Sequence, residues 1–85
     1  MNITLRFFAG VREALGTASL SLAVADDVTT VGQVHGLLTG RGGVWAEALG
    51  ETRPLRMACN QVMCDASAAL SEGCEVAFFP PVTGG

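Results

Sequence analysis

The chain has 85 residues, of which 49% are hydrophobic and 15% charged, with a formal net charge of −3 and a mean hydropathy of +0.43. One hydrophobic core serves a chain of this length, so we expect a single domain. The acidic balance argues against nucleic acid or an anionic membrane as the partner, because phosphate binding needs clustered cations, and no apolar run reaches the roughly 18 residues of a membrane helix.

Residues 2–8 alternate apolar and polar side chains, which predicts a half-buried strand. One face carries the apolar side chains Ile3, Leu5 and Phe7. Phe8 breaks the pattern because it falls on the polar face. The following residues 9–16 suit a short helical turn ended by Gly16. Residues 18–24 alternate in the same way, and the simplest arrangement is a hairpin with the first strand.

Residues 30–38 predict the main helix. Apolar side chains recur there at helical spacing, at Val31, Val34, Leu37 and Leu38. Thr30 stands in the capping position. We expect three glycines to fray this helix: Gly32, Gly36 and Gly40. After a flexible, glycine-rich break at 40–43, residues 44–50 predict a second short helix.

Three short strands follow, at residues 55–59, 62–64 and 74–79. Elements in this order describe an α+β fold, in which a mixed sheet carries one main helix packed on one face. A right-handed crossover would bring the last strand in parallel beside the first. Phe8 and Phe79, which both fall on the polar faces of their strands, would then lie together as an apolar patch on the open face of the sheet.

The sequence closes with Pro-Pro-Val-Thr-Gly-Gly. Pro80 and Pro81 fix φ and lack backbone donors, so we predict a domain over residues 1–79 and an extended tail over residues 80–85. A terminal diglycine passes through a slot too narrow for any side chain. We expect its α-carboxylate to be the reacting group, delivered into the active site of another protein; a frayed terminus or a cloning remnant is the alternative.

No other motif has the spacing of a catalytic or metal site. The three cysteines are Cys59, Cys64 and Cys74. They form no CxxC pair, and their odd number fits reduced thiols in a cytoplasm, so we expect them to pack in the core. His35 is expected at the edge of the helical apolar stripe or in solvent. Asp26 and Asp27 are interpreted as a loop and cap before the helix, and the glycines at 40–43 lack the strand, lysine and Ser/Thr of a phosphate-binding loop.

Several stretches resemble one known family. They are Phe7-Phe8-Ala9, Val11-Arg12-Glu13 with Gly16, Trp45, Asn60-Gln61, Leu70 with Gly73, and above all Glu75-Val76-Ala77-Phe78-Phe79-Pro80-Pro81-Val82-Thr83-Gly84-Gly85. Together they resemble the small, sulfur-carrying subunit of molybdopterin synthase over essentially the whole chain. The resemblance implies a ubiquitin-like β-grasp fold, which agrees with the predicted order of elements.

The resemblance also implies a carrier cycle. An activating enzyme uses ATP to adenylate the carboxylate of Gly85, and sulfur from a persulfide replaces AMP to leave a thiocarboxylate. That group would enter the large synthase subunit and donate sulfur to cyclic pyranopterin monophosphate, a step in molybdenum cofactor biosynthesis. The small subunit would supply no acid, base or metal and would hold no permanent cofactor. It would form a heterotetramer with the large subunit, in the cytoplasm.

Carried onto this sequence, the functional residues of the family fall into two groups. Gly85 would carry the sulfur, and Gly84 would be the narrow segment directly before it. The residues that match the docking surface for the activating enzyme and the large subunit are Phe8, Arg12, Met63 and Phe79, followed by the tail residues Pro80, Pro81, Val82 and Thr83. The glycine-rich stretch 40–43 departs from the family pattern, which affects the loop geometry and leaves the tail chemistry unchanged.

Three other functions remain open. Related carriers for thiamine-thiazole or cysteine synthesis share the diglycine but generally lack this Phe-Phe-Pro-Pro-Val-Thr run. A ubiquitin-like protein modifier would join its C terminus to a target amine, and the absence of lysine predicts that it cannot build lysine-linked chains on itself. A plain interaction module would have an inert tail.

Overall fold

The first and last strands lie side by side at the centre of one sheet. The computed structural model describes residues 1–50 and 54–81. Within them the strands are β1 (Asn2–Phe7), β2 (Ser19–Ala23), β3 (Arg56–Cys59), β4 (Val62–Cys64) and β5 (Glu75–Phe79). The helices are α1 (Ala9–Leu15), α2 (Val31–Thr39) and α3 (Gly43–Leu49). Every predicted element is present, with its ends displaced by at most one residue.

The strands form a mixed sheet in the order β2-β1-β5-β3-β4. β1 pairs antiparallel with β2 and parallel with β5, while β3 lies antiparallel between β5 and β4. The predicted hairpin and the predicted parallel return of the last strand are therefore confirmed. The parallel register sets Leu5 beside Val76 and Phe7 beside Phe78. These four side chains form the centre of the inner face.

The inner face of the sheet and α2 enclose the hydrophobic core. The sheet contributes Leu5, Val76 and Phe78, and α2 contributes Val31, Val34 and Leu38, all with no exposed surface. The rings of Phe7 and Phe78 stack with centroids 6.4 Å apart, and Trp45 of α3 meets Phe7 edge-on at 5.9 Å. Full burial of each large apolar side chain stabilises the fold by about 1.5–3 kcal/mol, so this aromatic cluster is a major contribution.

Leu37 is the member of the predicted helical stripe that does not reach the core. Its side chain is 48% exposed, whereas the adjacent Leu38 is fully buried. A nine-residue helix on a sheet buries a narrow stripe, which Val31, Val34 and Leu38 already fill, so Leu37 falls beside it. α2 also runs unbroken from Val31 to Thr39, so the predicted fraying is wrong for Gly32 and Gly36, which do not interrupt the helix, while Gly40 follows its last residue as the C-cap.

The N terminus of α2 is closed by a capping box. The Thr30 hydroxyl accepts a hydrogen bond from the N–H of Gln33 at 3.3 Å, and Gln33 Oε1 accepts one from the N–H of Thr30 at 3.0 Å. Gln33 Nε2 also donates to the carbonyl of Asp27 at 3.1 Å, which fixes the preceding turn. Two otherwise unpaired backbone donors are thereby satisfied, and the predicted cap at Thr30 is confirmed.

Gly32 allows the loop before β5 to lie directly on α2. The N–H of Gly32 donates to the carbonyl of Ala66 at 2.9 Å, and the N–H of Val31 donates to that of Ala68 at 3.0 Å. A Cβ placed on Gly32 would lie 2.9 Å from the Cβ of Ala66 and 3.0 Å from its carbonyl oxygen. The close approach of two backbones therefore requires glycine here.

His35 joins α2 to α3. Its Nε2–H donates to the carbonyl of Leu49 at 2.5 Å, and its ring centroid lies 5.9 Å from that of Phe78. The side chain is half-buried, which agrees with the edge of the apolar stripe, the first of its two expected positions. Arg41 covers Trp45 with its guanidinium carbon 4.7 Å from the ring centroid. The glycine-rich connection between the helices is thus bracketed by side-chain contacts.

Gly32→Ala is expected to destabilise the protein, although alanine is the better helix former. The new methyl group overlaps Ala66 and must displace the loop, at a cost of about 1–3 kcal/mol. Gly36→Ala in the same helix is the matched control, because nothing lies within 4 Å of a Cβ there; it should stabilise by roughly 0.5–1 kcal/mol. Urea unfolding measures both free energies, and shifts of the same sign would contradict the close approach.

Candidate functional site

Phe8 and Phe79 form an aromatic pair on the open face of the sheet, at the end where β1 and β5 stop. Their ring centroids lie 6.3 Å apart at 81°, an edge-to-face arrangement that the ring quadrupoles favour. With Ala9 and Pro80 they line a shallow pocket of about 300 Å³. Phe8 is 42% exposed. We call these four residues the tail-root patch, and the prediction that the two phenylalanines meet is confirmed.

The parallel pairing of β1 and β5 produces the tail-root patch. Phe7 lies opposite Phe78 in the core, so the next residue of each strand points to the opposite face. Phe8 keeps an extended backbone at φ −130° and ψ 157°, and Ala9 then adopts a positive φ of 51°. The carbonyl of Phe8 accepts from the N–H of Val11 at 3.2 Å, so the chain turns at once into α1.

Arg6 borders the tail-root patch. Its guanidinium carbon lies 5.7 Å from the ring centroid of Phe8, and its Nη1 lies 3.6 Å from Oε2 of Glu75. Both charged side chains are partly exposed, so the ion pair by itself stabilises little, and its effect is to confine the Phe8 ring from one side. In the sequence, the only signal for a role of Arg6 is its place two residues before Phe8 on the same face of the strand.

Small side chains form the open face between the tail-root patch and β4. Ala58 of β3 lies opposite Ala77 of β5 on one side and Met63 of β4 on the other. The two alanines are only 7% and 6% exposed, while Met63 is 59% exposed. Met63 therefore shares this face with the patch across a low apolar floor. Neither alanine was among the predicted site residues, because an alanine carries no chemical signal until its neighbours are known.

The other predicted site residues lie at the margins of the patch. Arg12 is exposed on α1, one turn beyond Phe8, to whose carbonyl its own N–H donates at 3.3 Å. Pro81 is half-buried immediately after the patch. The remaining predicted residues Val82, Thr83, Gly84 and Gly85 lie outside the described residues. The structure thus joins the two phenylalanines with Pro80 and leaves Arg12 and Met63 on either side.

The cysteines pack against the core, as predicted. Cys74 is buried, Cys59 and Cys64 are half-buried, and all three are free thiols. Burial raises the pKa of the Cys59 thiol above its ordinary value, and the nearby Cys74 raises it further. Burial also raises the pKa of Cys64, with a smaller contribution from the charge of Asp65. A thiol that stays protonated is a weak nucleophile and a weak metal ligand.

Across residues 1–50 and 54–81, no three His, Cys, Asp or Glu side chains are grouped closely enough to hold a metal ion. In the same part of the chain, none of the helices has the length and apolar character needed to cross a membrane.

The profile of the ThiS family matches residues 5–85. The chain belongs to the ThiS family. Two curated relatives are molybdopterin synthase sulfur carrier subunits. That of Haemophilus influenzae is 43% identical over 79 residues, which cover 93% of this chain and 94% of the relative. That of Escherichia coli is 43% identical over 83 residues, which cover 98% of this chain and 99% of the relative. Small archaeal modifier protein 3 of Haloferax volcanii is 36% identical over 92 residues, covering both chains completely.

Solved structures share the fold of this ThiS-family protein. The solution structure of the Haloferax volcanii HVO 2177 protein has a TM-score of 0.79 at 33% identity, covering 100% of this chain and 87% of that one. The crystal structure of SAMP1 from the same organism has a TM-score of 0.76 at 26% identity, with complete coverage of both. A chain of the complex of subunits 1 and 2 of molybdopterin-converting factor from Helicobacter pylori has a TM-score of 0.71 at 21% identity, again with complete coverage. The predicted ubiquitin-like β-grasp fold and the family resemblance are both confirmed.

Cys59 and Cys64 are expected to react slowly with iodoacetamide in the folded protein. Their raised pKa values keep the thiols protonated at neutral pH, and the thiolate is the form that reacts. The rate relative to the urea-unfolded chain should therefore be lowest at neutral pH and should rise as the pH increases above the ordinary thiol range. Site-resolved mass spectrometry of the alkylated chain measures these rates. Equal rates in the folded and unfolded chain at neutral pH would contradict this effect of burial.

Proposed function

We propose that this ThiS-family protein is a sulfur carrier for molybdenum cofactor biosynthesis. The relatives of that name match it over nearly its whole length. The single observation that carries the proposal is the exposed tail-root patch directly before residues 82–85, within a family match that runs to Gly85. An apolar surface at the root of a slender C-terminal segment is what a protein needs if a partner must grip it and draw in its carboxylate.

The proposed chemistry takes place at the α-carboxylate of Gly85. A carboxylate is a poor electrophile, so an activating enzyme first joins it to the AMP portion of ATP and releases pyrophosphate. The terminal sulfur of a persulfide then attacks the acyl carbon and displaces AMP, and a thiol cleaves the remaining S–S bond. The product is a thiocarboxylate, which is anionic at neutral pH and a soft nucleophile, suited to give sulfur to cyclic pyranopterin monophosphate. ATP belongs to the activating enzyme, and the carrier itself needs no permanent cofactor.

The described residues act as the docking platform in this proposal. Phe8 and Phe79 provide rigid aromatic anchors of the kind that dominate binding energies, and Met63 adds an adaptable apolar contact across the alanine floor. Pro80 and Pro81 give the chain a stiff exit from the sheet. The activating enzyme and the large synthase subunit must each reach the residues after Pro81, so they use the same patch in turn. The assembly with the large subunit is proposed to be a heterotetramer, in the cytoplasm.

A second candidate function is protein modification. It is favoured by the 36% identity, over both complete chains, to small archaeal modifier protein 3. Here the same adenylate at Gly85 would be attacked by a lysine ε-amine of a target protein, which forms an isopeptide bond and releases AMP. The two functions share the activation step and differ in the nucleophile. Isopeptide adducts ending in Gly-Gly on other proteins, found by mass spectrometry of lysates, would favour this candidate over sulfur carriage alone.

Incubation with the activating enzyme, ATP and a sulfur source should raise the intact mass by the difference between one sulfur and one oxygen atom. Deletion of Gly84 and Gly85 should prevent the change and abolish molybdoenzyme activity in cells, because the reacting carboxylate is displaced. The fold and most of the docking affinity should remain, since the tail-root patch is intact. An unchanged mass in a system that thiolates a known carrier would exclude the proposed role, and a deletion that leaves molybdoenzyme activity intact would favour an inert tail.

Phe8→Ala should weaken binding to the large subunit by roughly 30-fold, the effect of losing about 2 kcal/mol at an aromatic anchor. Leu37→Ala is the matched control, because Leu37 is similarly exposed, at 48% against 42%, but lies on α2 away from the open face of the sheet. Isothermal titration calorimetry with the purified large subunit gives both dissociation constants. A similar loss in both variants, or none in Phe8→Ala, would show that the patch is not the docking site.

A further inference from the structure

β2 is an edge strand that lacks the features that usually protect one. The sheet order leaves it paired with β1 on one side only. From Thr17 to Ala25 the sequence contains no charged residue and no proline. Edge strands of natural proteins are normally protected by charge, proline, a bulge or short length. The other edge, β4, has three residues, whereas β2 has five in a regular ladder, so β2 is the edge open to pairing.

Alternate residues of β2 direct their backbone groups away from β1. Ala18 accepts from the N–H of Phe7 at 3.0 Å, and Val24 exchanges two hydrogen bonds with Met1, both at 2.9 Å. In an antiparallel ladder this orientation repeats every second residue. The residues that face β1 are therefore Ala18, Leu20, Leu22 and Val24. The N–H and C=O groups of the residues between them point outward.

The outward-facing residues are Ser19, Ser21 and Ala23. The carbonyl of Ser19 accepts a hydrogen bond from the hydroxyl of Thr17 at 2.9 Å. A carbonyl oxygen has two lone pairs, so this carbonyl can still accept a second hydrogen bond. The side chains of these three residues are small and lie on the open face of the sheet, so they do not block an approaching strand. Within residues 1–50 and 54–81 no other strand pairs with these outward groups, so in this part of the chain the edge is both unsatisfied and accessible.

We propose that this edge pairs with β2 of a second copy of the chain, antiparallel about a two-fold axis through Ser21. Ser21 then lies opposite Ser21 of the second copy, and Ser19 lies opposite Ala23. Because these are the outward-facing residues, every opposed pair exchanges both backbone hydrogen bonds. A register shift of one residue would instead oppose groups already bonded to β1, so the backbone excludes it, and a shift of two residues would leave fewer of the five residues paired.

The side chains of β2 are complementary to themselves in this register. On the inner face, Leu20 of one copy lies opposite Leu22 of the other; both leucines are half-buried in the single chain and pack against its core, so pairing removes more of their surface from water. No like charges face each other, because the strand has none. This self-complementarity is the reason that a second copy, which meets the edge with the same surface, is the proposed occupant.

The paired form is a weak and reversible dimer. Five residues on each copy bury less than the roughly 1,200 Å² found in stable interfaces. The tail-root patch lies at the ends of β1 and β5 and takes no part in the contact. Dimerisation is therefore independent of the proposed sulfur-carrier function, and each copy keeps its patch accessible.

Sedimentation equilibrium of the full chain, from micromolar to millimolar concentration, tests the dimer. We expect a reversible, concentration-dependent monomer–dimer equilibrium in the unmodified protein. Ser21→Pro should give a monomer at every concentration with an unchanged circular dichroism spectrum, because the N–H that is lost faces outward and proline is tolerated at such edge positions. A proline at Thr4 of β1 would not be a suitable control, because the N–H of Thr4 donates to the carbonyl of Cys74 and its loss would disturb the fold itself.

Charge pairs test the register. Ser19→Lys combined with Ala23→Glu places opposite charges across the two-fold axis and should retain the dimer, whereas Ser19→Lys combined with Ala23→Lys places like charges there and should raise the dissociation constant at least tenfold. A monomeric unmodified chain at all concentrations, or equal effects of the two charge pairs, would overturn the proposal. If the β2 amides then become protected from hydrogen exchange only when the large subunit is added, the edge belongs to that heteromeric contact instead.

Discussion

The parallel pairing of β1 with β5 is the contact on which the rest of this structure depends. It joins strands from opposite ends of the described chain, in a register from Thr4 beside Glu75 to Phe7 beside Phe78. No local turn enforces such a pairing, so it must be stabilised by the apolar surface that it buries. Once it has formed, β2 and β3 add on either side and α2 covers the inner face. Every other element is placed relative to these two strands.

The same pairing separates four phenylalanines into two roles. Phe7 and Phe78 face inward and stack in the core, while Phe8 and Phe79 face outward and meet at the end of the strands. Because successive side chains of a strand alternate between faces, one register fixes both pairs. A shift of β5 by a single residue would turn Phe79 inward and Phe78 outward, and would disrupt the core and the patch together. Core packing and the exposed aromatic pair are therefore controlled by one geometric constraint.

The two faces of the sheet differ in how completely they are covered by the rest of the protein and held by hydrogen bonds. Over the inner face, the capping box of α2, the hydrogen bond from Gly32 to the loop and the contact from His35 to Leu49 hold the covering elements in place. On the open face, small alanines lie beneath exposed aromatic and methionine side chains, and the outward backbone groups of β2 lie at one edge. The proposed carrier function, in which several partners bind in succession, is consistent with an adaptable surface held on a rigid support.

The periodicity of the sequence by itself determined the strands and helices to within one residue, because periods of 2 and 3.6 identify which side chains share a face. It also marked Phe8 and Phe79, since each broke its pattern, and the terminal motif identified the family. Only the tertiary structure decided that Leu37 is exposed, that Gly32 must be glycine to admit Ala66, that Arg6 confines Phe8, and that Ala58 and Ala77 form a floor. Each of these features depends on which surfaces meet across the fold, and those contacts form because residues distant in the sequence are buried against one another. Periodicity indicates only the local face on which each side chain lies.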